Sequence, residues 1–330
     1  MELRKLGKSN VEITPIAFGA WAIGGWMWGG AERSDAIKAI RKSVEIGITT
    51  IDTAPVYGFG LSEEITGEAI KGVRDKVQIL TKFGLRWNVT KGKFFMATRD
   101  NQGKSIDLYC YSSKDSVINE CEESLRRLGT DYIDLLQIHW PDPTTPVEET
   151  MEALNILIDQ GKVLAAGVSN YDVPLMEEAE KVTPLASNQI AYSMLNRGIE
   201  KDVVPYCIKN EVGILAYSPL QRGLLTGKFE PGHKFKDGDA RGGLHWFKRE
   251  NIISVNDFLD KLGPLAVSKG ATLSQLILRW TIQQPGITCA LAGARDPEQV
   301  VDNAGALSFS LSEKEIGFIN LELAKLELIS

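Results

Sequence analysis

Eight apolar, β-branched runs recur along this 330-residue chain, each followed by a stretch with helical spacing, and that alternation constrains the fold most tightly. The runs occupy residues 13–19, 49–54, 77–84, 133–140, 164–170, 186–192, 213–220 and 287–294. Between them apolar residues return at every third or fourth position, as on an amphipathic helix. In residues 113–129, Val117, Ile118, Cys121, Leu125 and Leu128 share one face and Gly129 stops the helix. Residues 146–162 open on Pro146 with an acidic first turn and close on Gly161. Strands alternating with helices pair in parallel, and eight such units close on themselves, so the expected fold is an α/β (β/α)8 TIM barrel. A doubly wound open sheet would carry a GxGxxG turn after its first strand, whereas FGAWAIGGWMWGG follows here.

Three further features complete the expected architecture, a single barrel domain over residues 1–330. Residues 2–12 are expected to form a β-hairpin turning at Gly7–Asn10 and plugging one end of the barrel. Residues 85–112 and roughly 221–253 are too long for ordinary connections, and long loops in compact domains are usually functional. The first carries Trp87, Phe94, Phe95 and Met96, an apolar pocket wall; the second is rich in glycine and basic residues, as an anion clamp would be.

Composition narrows the partners. A hydrophobic share of 43% supports a large core, and a formal charge of −6 argues against nucleic acid. No apolar run approaches the ~20 residues that cross a bilayer, so no membrane partner is expected. The opening MELRKLGKSNVE has charges without a following apolar stretch and does not read as a secretion signal. Cys110, Cys121, Cys207 and Cys289 are scattered without CxxC pairing, which suits reduced structural thiols in a cytoplasmic protein rather than a metal site. Nothing in the sequence fixes an oligomeric state.

Polar residues end the apolar runs. Asp52 closes the second and Tyr57 follows closely; Lys82 closes the third, His139 the fourth, and Ser169–Asn170 the fifth. Alone, each has a bland reading: a cap, a rim lysine, a core histidine, a packing tyrosine. Four of them falling at the same end of three consecutive strands is a coincidence that independent capping does not predict. Carboxyl ends of barrel strands converge on one mouth, where active sites are found. An acid, a phenol, an amine and an imidazole meeting there suit carbonyl reduction, in which a developing alkoxide needs a proton. A lysine cation ~4 Å from the phenol contributes on the order of 4 kcal/mol at an effective dielectric near 20. That interaction is expected to lower the phenol pKa by up to about 3 units, with Asp52 keeping the lysine charged. Trp21, Trp28, Trp87 and Trp140 are expected to line an apolar substrate pocket for a small carbonyl compound.

The segments IDTAPVYGFGLSEEITGEAI, ILTKFG, SLRRLGTDYIDLLQIHWPDP, GKVLAAGVSN, SPLQRGLLTGKF and GARDPEQVVDN together resemble the aldo-keto reductase superfamily over nearly the whole chain. The subgroup it looks closest to is the bacterial general-stress type. The resemblance implies a barrel that binds a nicotinamide cofactor across its mouth, with Tyr57 as general acid, Lys82 and Asp52 as its tuning pair and His139 orienting the carbonyl. It implies cofactor contacts at Ala20, Trp21 and Asp52, carboxamide contacts from Ser169, Asn170 and Gln189, and Tyr217 against the nicotinamide ring. It further implies that Ser218, Leu220, Gln221, Arg222 and Gly223 wrap the pyrophosphate with Lys228 adding charge, and that Gly293, Arg295, Gln299, Asp302 and Asn303 hold the adenosine end. Many family members carry lysine and arginine where this chain has Gly293 and Gln299, so phosphate selectivity falls to Arg295, with Arg241. The implied cofactor is NADP(H), with NAD(H) possible, and the implied reaction is reduction of aldehydes or ketones to alcohols. Two alternatives share the fold: an NADP(H)-binding redox-sensing protein, whose relatives look to carry asparagine in place of the histidine, and a sugar or cyclitol dehydrogenase working in the oxidative direction.

Overall fold

The computed structural model describes residues 2–235 and 238–329. Two of the residues in the long segment 221–253 therefore lie outside the described residues. The chain opens with a short antiparallel hairpin, β1 (Arg4–Lys5) and β2 (Glu12–Ile13), as expected. The first three barrel strands follow as β3 (Ile16–Gly19), β4 (Thr50–Asp52) and β5 (Gln78–Phe83). A separate three-stranded antiparallel sheet comes next, formed by β6 (Leu85–Arg86), β7 (Lys93–Arg99) and β8 (Ser105–Cys110). The remaining barrel strands are β9 (Leu135–Ile138), β10 (Ala166–Ser169), β11 (Ser187–Ala191), β12 (Gly213–Tyr217) and β13 (Ile287–Gly293). All eight expected runs become neighbours in one closed parallel barrel, β3-β4-β5-β9-β10-β11-β12-β13.

Ten α-helices are described where eight were expected. The first five are α1 (Arg33–Glu45), α2 (Leu61–Ala69), α3 (Lys114–Leu128), α4 (Val147–Asp159) and α5 (Val173–Glu180). The others are α6 (Val203–Asn210), α7 (Arg249–Ser268), α8 (Leu273–Ile282), α9 (Pro297–Gly305) and α10 (Glu313–Leu323). In α3, Val117, Cys121, Leu125 and Leu128 are buried against the outside of the barrel. Each such aliphatic side chain contributes about 1.5–3 kcal/mol when fully buried. Gly129 terminates this helix at φ +63, where its amide caps the last turn.

The barrel interior is layered. Its lower layer holds Ala17, Leu80, Leu135, Ala165, Leu215 and Cys289, and Leu6, Val11 and Ile13 of the hairpin pack beneath. That plug covers the end of the barrel opposite the carboxyl ends of its strands. Lys82 follows two residues after Leu80 on β5, and Asp52 pairs with Leu80 at the end of β4, so the polar floor rests on a dry base.

The segment 85–112 departs from the expectation of a loop. It is an antiparallel ribbon standing on the mouth, with Leu85, Leu108 and Cys110 buried together with Trp26, Ala54, Val56 and Tyr57. Its root is an internal ion pair: Arg86 Nη1 lies 3.3 Å from Glu120 Oε1, and Glu120 Oε2 accepts the Gly84 amide at 3.0 Å. Of the expected wall residues, Trp87, Phe95 and Met96 pack on this cluster, whereas Phe94 is 50% exposed and meets Tyr109 edge-on outside. Pleat alternation sends Phe94 and Phe95 to opposite faces, and a register shift between Phe94 and Met96 lets Met96 join Phe95 on the inner one.

Candidate active site

Lys82 is the centre of the floor. It is completely buried on β5, and its Nζ donates to Asp52 Oδ1 at 2.7 Å and to the Thr53 carbonyl at 2.9 Å. Burial lowers the lysine pKa, and the Asp52 carboxylate works in the opposite direction and is what keeps the ammonium charged. The other Asp52 oxygen accepts from Gln189 Nε2 at 2.7 Å. A carboxylate only accepts, so this contact fixes the Gln189 amide with its nitrogen toward Asp52. Gln189 Nε2 also lies 3.4 Å from Gln137 Oε1.

Tyr57 sits directly above. Its ring centroid is 4.9 Å from Lys82 Nζ, and the His139 ring meets it edge-on at 5.8 Å. Observed β9 ends at Ile138, one residue before His139, so the imidazole and Trp140 emerge at the mouth instead of continuing the strand. The expectation that Lys82 lowers the phenol pKa is overturned. Burial first, and Asp52 second, push Tyr57 well above the ordinary phenol value. With Asp52 only 2.7 Å away, the lysine charge acts as one pole of an ion pair and not as an isolated cation. Burial and the Lys82 charge together drive the His139 pKa well below its usual value, so the imidazole is neutral near pH 7.

Aromatic rings wall this floor. Trp21 stacks on Tyr57 with centroids 5.8 Å apart and meets Trp28 edge-on at 5.5 Å. Phe59 contacts Trp87 at 5.4 Å, and Phe95 contacts Trp140 at 5.3 Å. Of the four expected pocket tryptophans, Trp21, Trp87 and Trp140 pack on the apolar cluster that holds Tyr57, and Trp28 reaches it only through its edge contact with Trp21. Trp21 Nε1 is a buried donor without a hydrogen-bond partner.

Next to the floor a polar chain crosses the ends of β10, β11 and β12. The Tyr217 hydroxyl donates to Asn170 Oδ1 at 2.9 Å; Asn170 Nδ2 donates to the His139 carbonyl and to Ser169 Oγ, both at 3.1 Å. Ser169 Oγ donates in turn to the Gln189 carbonyl at 2.8 Å. Beyond Tyr217 the backbone turns left-handed at Ser218, Gln221 and Arg222, with φ of +55, +47 and +54, and again at Gly223. Non-glycine residues held there store about 1–3 kcal/mol each, and such strain gathers at ligand-binding turns. Leu220 packs beneath this turn, and the Arg222 guanidinium lies 5.3 Å over the Trp21 ring.

The remaining expected cofactor residues make the following contacts in the structure. Ala20 is a tether: its amide donates to the Asp52 carbonyl at 2.8 Å and its carbonyl accepts from Ser62 Oγ at 2.9 Å. Arg241 is not a free cation, because Asp239 clasps it through Nε and Nη2 at 2.6–3.2 Å while Trp28 and Phe235 lie under its guanidinium. Asp302 is a structural acceptor for Thr272 Oγ1 and Gln275 Nε2 at the start of α8. Gln299 is held by Asp296 and by the Arg295 amide, and Asn303 ties α9 to the Gly293 carbonyl. Arg295 remains exposed at the same rim, near enough to act on the Asp239 carboxylate, and Lys228 is exposed. Sequence reasoning missed Asp239, Phe59 and the Arg86–Glu120 root. Asp239 is two residues from Arg241 in a basic, glycine-rich stretch, and an acid so placed was a readable signal.

Comparison with known proteins agrees with this geometry. The sequence model of the Aldo/keto reductase family matches residues 15–321. The aldo-keto reductase YhdN of Bacillus subtilis (strain 168) is 39% identical over 97% of this chain and 93% of its own length. The NADH-specific methylglyoxal reductase of Escherichia coli (strain K12) is 38% identical over 94% of each. Among solved structures, the glycerol dehydrogenase from Gluconobacter oxydans superposes with a TM-score of 0.88 at 37% identity, covering 99% of this chain and 97% of that one. An aldo-keto reductase from Klebsiella pneumoniae in complex with NADPH superposes with a TM-score of 0.74 at 28% identity, covering 99% of each chain.

Proposed function

The chain belongs to the aldo/keto reductase family, and on that premise we propose that it reduces aldehydes or ketones to alcohols with NADP(H), accepting NAD(H) less well. The observation that carries this reading is the buried Lys82–Asp52 ion pair under Tyr57 and His139 at the carboxyl ends of the barrel strands.

The residues beside the floor fit a dinucleotide. The left-handed turn from Ser218 to Gly223 offers backbone amides and Arg222 to the pyrophosphate, Trp21 Nε1 is a donor in search of an acceptor, and Tyr217 flanks the nicotinamide site. Bound there, the reduced nicotinamide supplies the hydride. Because Gln189 turns its nitrogen to Asp52, its carbonyl is the end left to accept from a carboxamide. Arg295, exposed at the rim, is assigned to the 2′-phosphate that distinguishes NADP(H). The NADPH complex of the Klebsiella relative supports this choice, and the Escherichia coli relative, named for NADH, supports tolerance of either cofactor.

The chain's own groups then handle the oxygen. Neutral His139 donates a hydrogen bond to the carbonyl and sets its angle. Tyr57 keeps its proton at neutral pH, which a general acid must do before it acts. As negative charge grows on the oxygen, Tyr57 gives up that proton, because an alkoxide is a much stronger base than a phenolate. Lys82 stabilises the phenolate that forms, and Asp52 holds Lys82 charged for that moment. The aromatic wall excludes water and selects compounds with an apolar flank.

A panel of aldehydes, ketones and sugars, each with NADPH and NADH and followed by the absorbance of the reduced nicotinamide, tests the proposal. Carbonyl-dependent consumption with NADPH preferred is expected. Tight NADPH binding with no carbonyl accepted would turn the assignment to a cofactor-sensing protein.

A further inference from the structure

The tip of the β7–β8 ribbon reaches back across the mouth to the loop that carries Tyr57. Asn101 Nδ2 donates to the Gly24 carbonyl at 2.9 Å, although 77 residues separate the two. That same carbonyl abuts the tyrosine loop. A Cβ on Gly58, at φ +71, would lie 1.9 Å from Gly24 O and 3.0 Å from Asn101 Nδ2. A Cβ on Gly24 would lie 2.4 Å from the Tyr57 carbonyl. Glycine at both positions is therefore a steric requirement of this crossing. Lower on the ribbon, Trp26 Nε1 donates to Thr98 Oγ1 at 3.0 Å, and the Trp26 ring meets Phe59, two residues past Tyr57, at 6.0 Å. The Gly24–Trp28 stretch is gripped from the other side too, where the Ala240 amide donates to the Met27 carbonyl.

We propose that Asn101 and Thr98 form a latch that fixes the position of Tyr57, making them positioning residues for proton transfer. Three structural facts set this apart from ordinary packing. Asn101 sits where the two backbones cross, bonded to the Gly24 carbonyl and 3.0 Å from where a Cβ on Gly58 would lie. Among the described residues no other side-chain hydrogen bond joins the ribbon tip to the rest of the mouth, so the tip depends on this pair. The turn itself does not depend on Asn101: Asp100 Oδ1 accepts the Gln102 and Lys104 amides, and the Asp100 amide donates to the Lys104 carbonyl. Removing the Asn101 amide therefore opens the latch without unmaking the turn. The floor contacts of Lys82, Asp52 and Gln189 are on other elements and stay in place.

The kinetic part of this inference rests on the proposed reductase activity; the structural part does not. The test compares the full-length chain with Asn101→Ala, Thr98→Val and the conservative Thr98→Ser. Amide hydrogen exchange is expected to accelerate in residues 22–30 and 54–61 of Asn101→Ala and Thr98→Val, with the remaining barrel unchanged. In both variants kcat is expected to fall about tenfold, the effect of losing one neutral hydrogen bond at the transition state. NADPH affinity by fluorescence titration should stay within about twofold, and Thr98→Ser should restore kcat, which a general loss of stability would not do. Unchanged exchange at 54–61, or unchanged kcat in both variants, overturns the latch. Faster exchange in a protein that reduces no carbonyl, even unmutated, supports the latch and defeats the reductase assignment instead.

Discussion

The floor of the mouth and its rim are built on opposite plans. At the floor, Asp52, Lys82 and Gln189 come from barrel strands, are buried, and satisfy one another within 2.7 Å. At the rim, the ribbon 85–110 and the stretch around Arg241 are held by a few long-range contacts, and their charged groups are either exposed or clasped by a neighbour. Under the proposed function, the difference separates two tasks. Chemistry that moves one proton needs fixed geometry, and strands of a closed barrel provide it. Recognition of varied substrates and of a long dinucleotide needs surfaces that can adjust, and loops on a rigid frame provide those.

Substitutions on each side should fail in different ways. The largest effect is expected at the floor. Lys82→Met leaves Asp52 as an uncompensated buried charge, so stability should fall by about 3–5 kcal/mol. The reduction rate should fall by about 10³, near the middle of the range for lost acid–base assistance. Denaturant melts and single-turnover kinetics read the two separately, and an active, stable Lys82→Met protein would erase the distinction between floor and rim. At the rim, Arg295→Ala should weaken NADPH by about tenfold, as expected for one charge-assisted contact, while NADH is nearly unaffected. Equal losses for both cofactors, measured by fluorescence titration, would remove Arg295 from phosphate recognition.

The smallest effect is expected where rim meets floor. Burial outweighs Arg86 and pushes the Glu120 carboxyl up from 4.5 to about 7. A carboxyl whose folded pKa is raised binds its proton more tightly in the native state. Its contribution to stability is thus present below about pH 4.5 and lost as pH rises toward 7. Glu120→Gln should flatten the dependence of melting temperature on pH across that window, and an unchanged slope would show that Arg86 already holds the carboxylate ionised.

The floor was legible in the sequence because a fully buried parallel strand tolerates polar residues only at its ends. Asp52, Lys82 and Ser169 announced themselves that way, and the apolar runs around them revealed all eight barrel strands. The ribbon was hidden because KFFMATR places two aromatic residues side by side and breaks the period-two pattern. Only the β7–β8 pairing decides that Phe95 faces the pocket and Phe94 the solvent. The direction of the Tyr57 pKa was hidden for another reason. Spacing placed a lysine near the phenol, but the closeness of Asp52 to that lysine is a property of the closed barrel. The clasp of Arg241 by Asp239 under aromatic rings was hidden for the same reason, since it exists only in three dimensions.

Replacement of the phenol tests the account most directly. Tyr57→Phe removes one oxygen and keeps the ring that stacks on Trp21, so the pocket and the cofactor groove are preserved. Stopped-flow reduction of the best carbonyl substrate should lose about 10² to 10⁴ in rate while NADPH titrates with unaltered affinity. A Tyr57→Phe protein that reduces its substrate at the unmutated rate would contradict the assignment of Tyr57 as the proton donor.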